Sequence, residues 1–277
     1  MDYVWISLII LFAVLVHEIG HLIAMRKCGV WVTELGIGLP VGPRIGWTFP
    51  SRKYTRKTFR VSFYPLLLLG AFTRPEDEKS IARLSYHDQA FIYGAGIIGN
   101  LVLIALGFTL LGAFIPENTA RVMNFPLAGK MAITPTLLWG GLLSAGLILY
   151  FARPITQYLF PLCALGVLYW VITILLKMPF GEFVEKSGGI VTIAQFGKKF
   201  SGNFASLTYY SIIISYLLAL TNLLPIYPLD GARTIKLLGE RFFPQVWIVC
   251  EKIGIAFFAF LIVFALYGDA RRIFELF

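Results

Sequence analysis

The chain has 277 residues, of which 58% are hydrophobic and only 14% charged. Soluble domains run near a quarter charged, so this composition excludes an ordinary soluble globular protein and places the chain among multi-span membrane proteins. The net charge of +9 would point to nucleic acid in a soluble protein, but here Lys- and Arg-rich cytoplasmic loops account for it, and no nucleic-acid partner is expected. Cys28, Cys163 and Cys250 are scattered and form no CxxC pair, so they offer neither a disulfide framework nor a thiolate metal site.

The first apolar run spans about residues 4–25. Asp2 precedes it, no basic residue does, and no small-residue cleavage site follows, so it reads as a retained membrane helix rather than a signal peptide. Inside it lies His17-Glu18-Ile19-Gly20-His21, which holds two of the chain's three histidines. On an α-helix, positions i and i+4 are about 40° apart and one turn up, so both imidazoles face one point. Such a pair suits zinc, and the intervening Glu18 is placed to move a proton on a metal-activated water. Polar residues that merely join helices would leave Glu18 needing a partner of its own.

Residues 26–90 carry Arg26, Lys27, Arg44, Arg52, Lys53, Arg56, Lys57, Arg60, Arg74, Lys79 and Arg83 against five acids. That asymmetry places the segment in the cytoplasm and Met1 outside. Phe59, Val61 and Phe63 alternate with Thr58, Arg60 and Ser62, which predicts a strand with one apolar face. Thr33 to Leu39 and Ile45-Gly46-Trp47 also read as extended. Together they predict a small membrane-associated β-sheet on the cytoplasmic side. Leu66 to Leu69, after Tyr64-Pro65, is too short to span and predicts chain dipping into the bilayer.

A second span covers about 91–115, and two apolar stretches at 136–152 and 156–176 are split by Arg153-Pro154. A proline there predicts the turn of a membrane hairpin. Further spans follow at about 207–224 and 246–267, making six, with the C-terminus outside. Residues 225–245, with Arg233, Lys236 and Arg241, are then cytoplasmic. The expected fold is therefore an all-α polytopic membrane protein of about six transmembrane helices plus the small sheet.

Zinc needs a third protein ligand and an open position. His87 reads as interfacial, and Glu251 and Asp269 fall at the ends of the last span. Asp230 lies in Asn222-Leu223-Leu224-Pro225-Ile226-Tyr227-Pro228-Leu229-Asp230-Gly231, where two prolines and a glycine unwind the chain at membrane depth. Unwound backbone there must line a cavity or bind something. The topology brings Asp230 to a depth similar to that of His17 and His21, which makes it the best candidate.

His-Glu-x-x-His in a first core span, paired with a distant Asn-x-x-Pro-x-x-Pro-x-Asp-Gly, resembles the site-2 protease family of intramembrane zinc metalloproteases. The likeness is to the bacterial regulator of sigma-E protease and sporulation-factor protease type. Ala95-Gly96-Ile97-Ile98-Gly99-Asn100 resembles the opening of the family's second core span. Ser187-Gly188-Gly189-Ile190-Val191-Thr192-Ile193-Ala194 resembles the segment before the third, and Ala265-Leu266-Tyr267-Gly268-Asp269 the closing span. The resemblance implies that His17, His21 and Asp230 bind Zn2+, that Glu18 is the general base, and that Asn222, Pro225 and Pro228 help hold an unwound substrate segment. It implies a three-helix protease core plus extra spans, in a bacterial plasma membrane, with the site toward the cytoplasmic face. The sheet would offer the substrate an edge for strand addition. The expected substrate is a single-span membrane protein such as an anti-sigma factor or a pro-protein.

Two residues depart from the family pattern: Ala232 follows Asp230-Gly231 where a second glycine is usual, and Gly189 stands where a proline is expected. Residues 116–135 cannot hold the PDZ domain of larger relatives, and no terminal nucleotide-sensing domain is expected. The organisation reads as an N-terminal half of the core (1–115), an inserted hairpin (116–177) and a C-terminal half (178–277). A metal-ion transporter could use the same ligands, but would be expected to show repeat-related broken helices. An inactive relative that binds membrane segments would not need His17, Glu18, His21 and Asp230 intact.

Overall fold

A lipid interior offers no water to backbone N–H and C=O groups, so a long apolar run satisfies them internally as helix. The computed structural model describes residues 2–50, 57–65, 70–114, 121–125, 129–133, 136–177, 189–198 and 203–274. Its long helices are α1 (Asp2–Lys27), α3 (Tyr86–Phe114), α4 (Thr136–Lys177), α6 (Phe204–Asn222) and α8 (Pro244–Phe274). The shorter ones are α2 (Glu78–Ala82), α5 (Ile190–Lys198) and α7 (Asp230–Phe242). Among the described residues, four stretches are long and apolar enough to cross a membrane: Val4–Lys27, Tyr86–Ala113, Phe204–Asn222 and Pro244–Arg272. They coincide with the spans expected at 4–25, 91–115, 207–224 and 246–267. On α8, Ile253, Phe260 and Val263 are each more than half exposed, as befits side chains that face lipid.

Helices α1, α3 and α6 pack on one another. Ile6 and Ala13 of α1 meet Tyr210 and Ile214 of α6, while Leu111 of α3 meets Tyr209, Ile212 and Ile213. Glycines set the closeness of α1 and α3. A Cβ on Gly20 would lie 2.2 Å from the Ala95 carbonyl oxygen, and one on Gly99 would lie 2.8 Å from that of Val16. Small residues are the usual means by which membrane helices approach this closely.

The break expected at Arg153-Pro154 is not found. The backbone is helical from Thr136 through to Lys177, and α4 runs alongside α3 as one element. Proline removes one hydrogen bond, but inside an apolar helix neighbouring helices and local adjustment can satisfy the freed carbonyl. A helix of 42 residues rises about 63 Å, about twice a bilayer's hydrocarbon thickness. Within the segment 116–177, expected to hold the hairpin, this helix follows an unforeseen antiparallel strand pair, β5 (Arg121–Phe125) and β6 (Gly129–Ile133). Of the six spans expected, four are long and apolar enough among the described residues.

The predicted sheet is present. β1 (Val32–Ile37), β2 (Ile45–Pro50), β3 (Thr58–Phe63) and β4 (Ala71–Pro75) lie in the order β2-β3-β1-β4, with β1 parallel to β3 and the other pairs antiparallel. Val30 and Val32 pack with Ala24 and Met25 of α1 and Ile92 and Ala95 of α3, which fixes the sheet at the C-terminal end of α1. The buried face of β3 differs from expectation. Ser62 is fully buried, whereas Phe59, Val61 and Phe63 are only half-buried. The reason is Glu34 on the neighbouring strand, a buried carboxylate that recruits polar partners. It accepts from Ser62 Oγ (2.5 Å), Tyr64 OH (3.2 Å), Arg44 (3.1 Å) and Arg74 (3.1 Å). The dip read into Leu66 to Leu69 lies outside the described residues.

Burial pushes the Glu34 carboxyl up, but the Ser62 hydrogen bond and the Arg44 and Arg74 charges outweigh it and hold it below the usual 4.5. A carboxylate so depressed contributes stability that is present above pH 4.5 and lost as pH falls through the folded-state value. Glu34→Gln is therefore expected to destabilise the protein at neutral pH by about 1–3 kcal/mol. Thermal unfolding should show that the gap to wild type narrows below pH 4.5; a gap that is constant with pH would refute this role.

Candidate metal centre

The two histidines share one face of α1, as the i, i+4 spacing requires, and that face meets α3. His17 and His21 are buried in the middle and lower part of α1, and Asp230 is buried at the first position of α7. Residues 223–229 between α6 and α7 are not helical, so the unwinding expected from the two prolines is present. Gly231 permits it. A Cβ there would lie 2.2 Å from the Leu223 carbonyl oxygen, so the chain can fold back only where no side chain stands. A carboxylate at the first turn of α7 also suits the positive end of that helix.

The three side chains converge on one point. His17 Nε2 and His21 Nε2 are 3.3 Å apart, and Asp230 Oδ2 is 3.1 Å from each. Zinc bonds of about 2.0–2.1 Å in a tetrahedron place ligand atoms about 3.3 Å apart, so these atoms already mark one triangular face of such a site. Among the described residues this is the one group of three that could hold a metal ion. Position 96 tests the fit independently. A Cβ there would lie 2.5 Å from both Nε2 atoms, so a side chain at 96 would crowd the two nitrogens that a metal needs. Glycine leaves them uncrowded. The His21 ring is oriented from behind, since its Nδ1 lies 2.7 Å from the Ile92 carbonyl oxygen and donates to it. That contact leaves the Nε2 lone pair for a metal.

A family model described as Peptidase family M50 matches residues 5–264. The chain belongs to that family. Two relatives carry the name of zinc metalloprotease. One, from Ralstonia nicotianae, is 35% identical over 105 residues, which is 35% of this chain and 23% of the relative. The other, from Clostridium perfringens, is 27% identical over 124 residues, covering 43% of this chain and 36% of the relative. The chain thus covers well under half the length of either.

The remaining expected residues of this M50 chain fall in distinct places. Glu18 is half-buried, and its carbonyl accepts from Thr73 Oγ1 of β4 at 3.0 Å, so the sheet grips the helix at that residue. Asn222 donates to the Leu218 carbonyl at 3.0 Å within its own helix. Pro225 is half-buried and Pro228 exposed in the unwound stretch. The rejected ligand candidates lie elsewhere. His87 is exposed, and Glu251 pairs with Lys236 at 3.2 Å. Asp269 is buried and accepts from the backbone N–H groups of Gly189 (2.8 Å) and Thr192 (3.3 Å), holding the start of α5 to α8. The first of these bonds explains one family departure, because a proline at 189 would have no N–H to donate. Ser187 and Gly188 lie outside the described residues. Two residues not among the expected site residues also face the histidines: Gly96, and Asn100, whose amide nitrogen lies 3.1 Å from His17 Nδ1; at i and i+4 on α3 they share one helix face.

Proposed function

We propose that this M50 member is an intramembrane zinc metallopeptidase in which His17, His21 and Asp230 hold the metal and Glu18 is the general base. The observation that carries the reading is the convergence of two halves of a ligand set, 209 residues apart in the chain, on one buried point with Asp230 Oδ2 3.1 Å from both imidazoles. A zinc ion bound there supplies Lewis-acid polarisation of the scissile carbonyl and of the attacking water. Glu18 takes the proton of that water and passes it to the leaving amine.

The substrate in this reading is the transmembrane segment of a single-span membrane protein, such as an anti-sigma factor or a pro-protein. Such a helix hides its carbonyls in hydrogen bonds and must unwind to be cut. β4 is an edge strand among the described residues and touches α1 at Glu18. A segment adding to its edge would regain backbone hydrogen bonds while passing Glu18. Asn222, Pro225 and Pro228 would line the far side of that path. We place the sheet, the 26–90 segment and the site at the cytoplasmic face of a bacterial plasma membrane, on the strength of the basic residues in 26–90.

The test uses purified protein in liposomes with a single-span substrate. Cleavage is expected, and should be abolished by a zinc chelator and restored by added zinc. Cleavage that is indifferent to chelation, or zinc flux across the liposomes without any cleavage, would overturn the proposal.

A further inference from the structure

Asn100 is fully buried on α3, with its amide nitrogen 3.1 Å from His17 Nδ1. Its other amide atom, Oδ1, has no hydrogen-bond partner among the described residues. The two rings of the site therefore differ behind the ligand atoms. His21 Nδ1 meets a carbonyl oxygen, whereas His17 Nδ1 meets an amide nitrogen. A histidine that binds a metal through Nε2 is neutral and carries its proton on Nδ1, where it must find an acceptor. An amide nitrogen is a donor, so the contact as drawn sets donor against donor.

The oxygen and nitrogen of a side-chain amide occupy nearly the same shape, and their assignment follows from the hydrogen-bond network. Rotating the Asn100 amide by half a turn places Oδ1 against His17 Nδ1. The present orientation leaves Oδ1 without a partner among the described residues, so the His17 contact decides between them. The distance is not free to relax. The Cβ that Gly99 lacks would lie 2.8 Å from the Val16 carbonyl oxygen, so α3 is pressed against α1 at the residue before each partner.

We propose that Asn100 is a positioning residue of the metal centre: its Oδ1 accepts from His17 Nδ1–H and holds the ring with Nε2 toward the metal. This rests on the zinc reading above and extends it. The site then has matched supports, the Ile92 carbonyl for His21 and the Asn100 carbonyl for His17. Asn100 touches neither substrate nor metal; it acts through His17.

Two variants separate the acceptor role from packing. Asn100→Leu keeps the side chain's size and removes the acceptor. Asn100→Asp keeps an acceptor at the same place and, ionised, cannot donate. Zinc affinity is measured by chelator competition, and the geometry of the centre by the visible spectrum of the cobalt-substituted protein. Asn100→Leu is expected to bind zinc about 10–100-fold more weakly, the cost typical of losing an outer partner of a ligating histidine. Asn100→Asp should keep wild-type affinity or better, and a wild-type cobalt spectrum. The proposal is overturned if Asn100→Leu binds as wild type does, or if the Asp variant falls with it. Should the Leu variant fail to fold, the Asp variant decides alone. Wild type that takes up no zinc would instead overturn the zinc reading on which this rests.

Discussion

Glu18→Gln is expected to keep its zinc and to lose cleavage of a single-span substrate by about 10²–10⁴-fold, the usual contribution of a positioned general base. Glutamine has the size and shape of glutamate but cannot take a proton from the attacking water. The metal should stay, because the converging atoms belong to His17, His21 and Asp230, and Glu18 is not among them. The backbone should stay as well, because Thr73 grips Glu18 through its main-chain carbonyl rather than its carboxylate. Zinc content and substrate cleavage must be read on the same preparation. If zinc leaves with activity, Glu18 supports the metal rather than the proton transfer; if cleavage survives, the base is another residue.

Gly96→Ala is expected to be nearly as damaging, though it adds one methyl group. That methyl would sit 2.5 Å from His17 Cε1, His17 Nε2 and His21 Nε2, far inside van der Waals contact. The rings cannot turn away freely, because His21 Nδ1 donates to the Ile92 carbonyl and Asn100 stands 3.1 Å behind His17 Nδ1. α3 would have to move off α1, where Gly20 and Gly99 allow near-contact of the two backbones. Overpacking of this kind costs about 1–3 kcal/mol, and the added methyl would push the two ligand nitrogens out of place. We expect zinc-free protein with a lowered melting temperature. Gly146→Ala and Gly166→Ala on α4 serve as controls, since a Cβ at either meets nothing within 4 Å. They should retain zinc and melt no lower than wild type. Zinc retention by Gly96→Ala would contradict the requirement for glycine at this position.

The pair His17 and His21 was legible because helical periodicity alone puts i and i+4 on one face. Asp230 was legible because prolines and a glycine at membrane depth mark unwound chain. The sheet could be read from alternation in Thr58 to Phe63, yet its buried face could not. A charged Glu34 inside the sheet reverses the usual logic, drawing Ser62 inward and leaving the apolar side chains half-exposed. Long-range geometry was also hidden. Nothing local in Gly96 or Asn100 says that α3 lies against the histidine face of α1. The α4 segment misled for a different reason: Pro154 carries a strong local signal, but an apolar helix can absorb the loss of one hydrogen bond. Gly189, a departure when set beside the family pattern, is explained by the N–H it gives to Asp269.

In the proposed function, two distant segments build one zinc site. The most direct measurement is zinc stoichiometry and affinity in wild type and in Asp230→Asn, determined by elemental analysis and chelator competition. Asparagine preserves the shape at position 230 but removes the charge that faces both imidazoles at 3.1 Å. One zinc per wild-type chain is expected, with affinity lowered by more than about 100-fold in the variant, beyond what loss of an outer partner costs. A variant that holds zinc as tightly as wild type would contradict it.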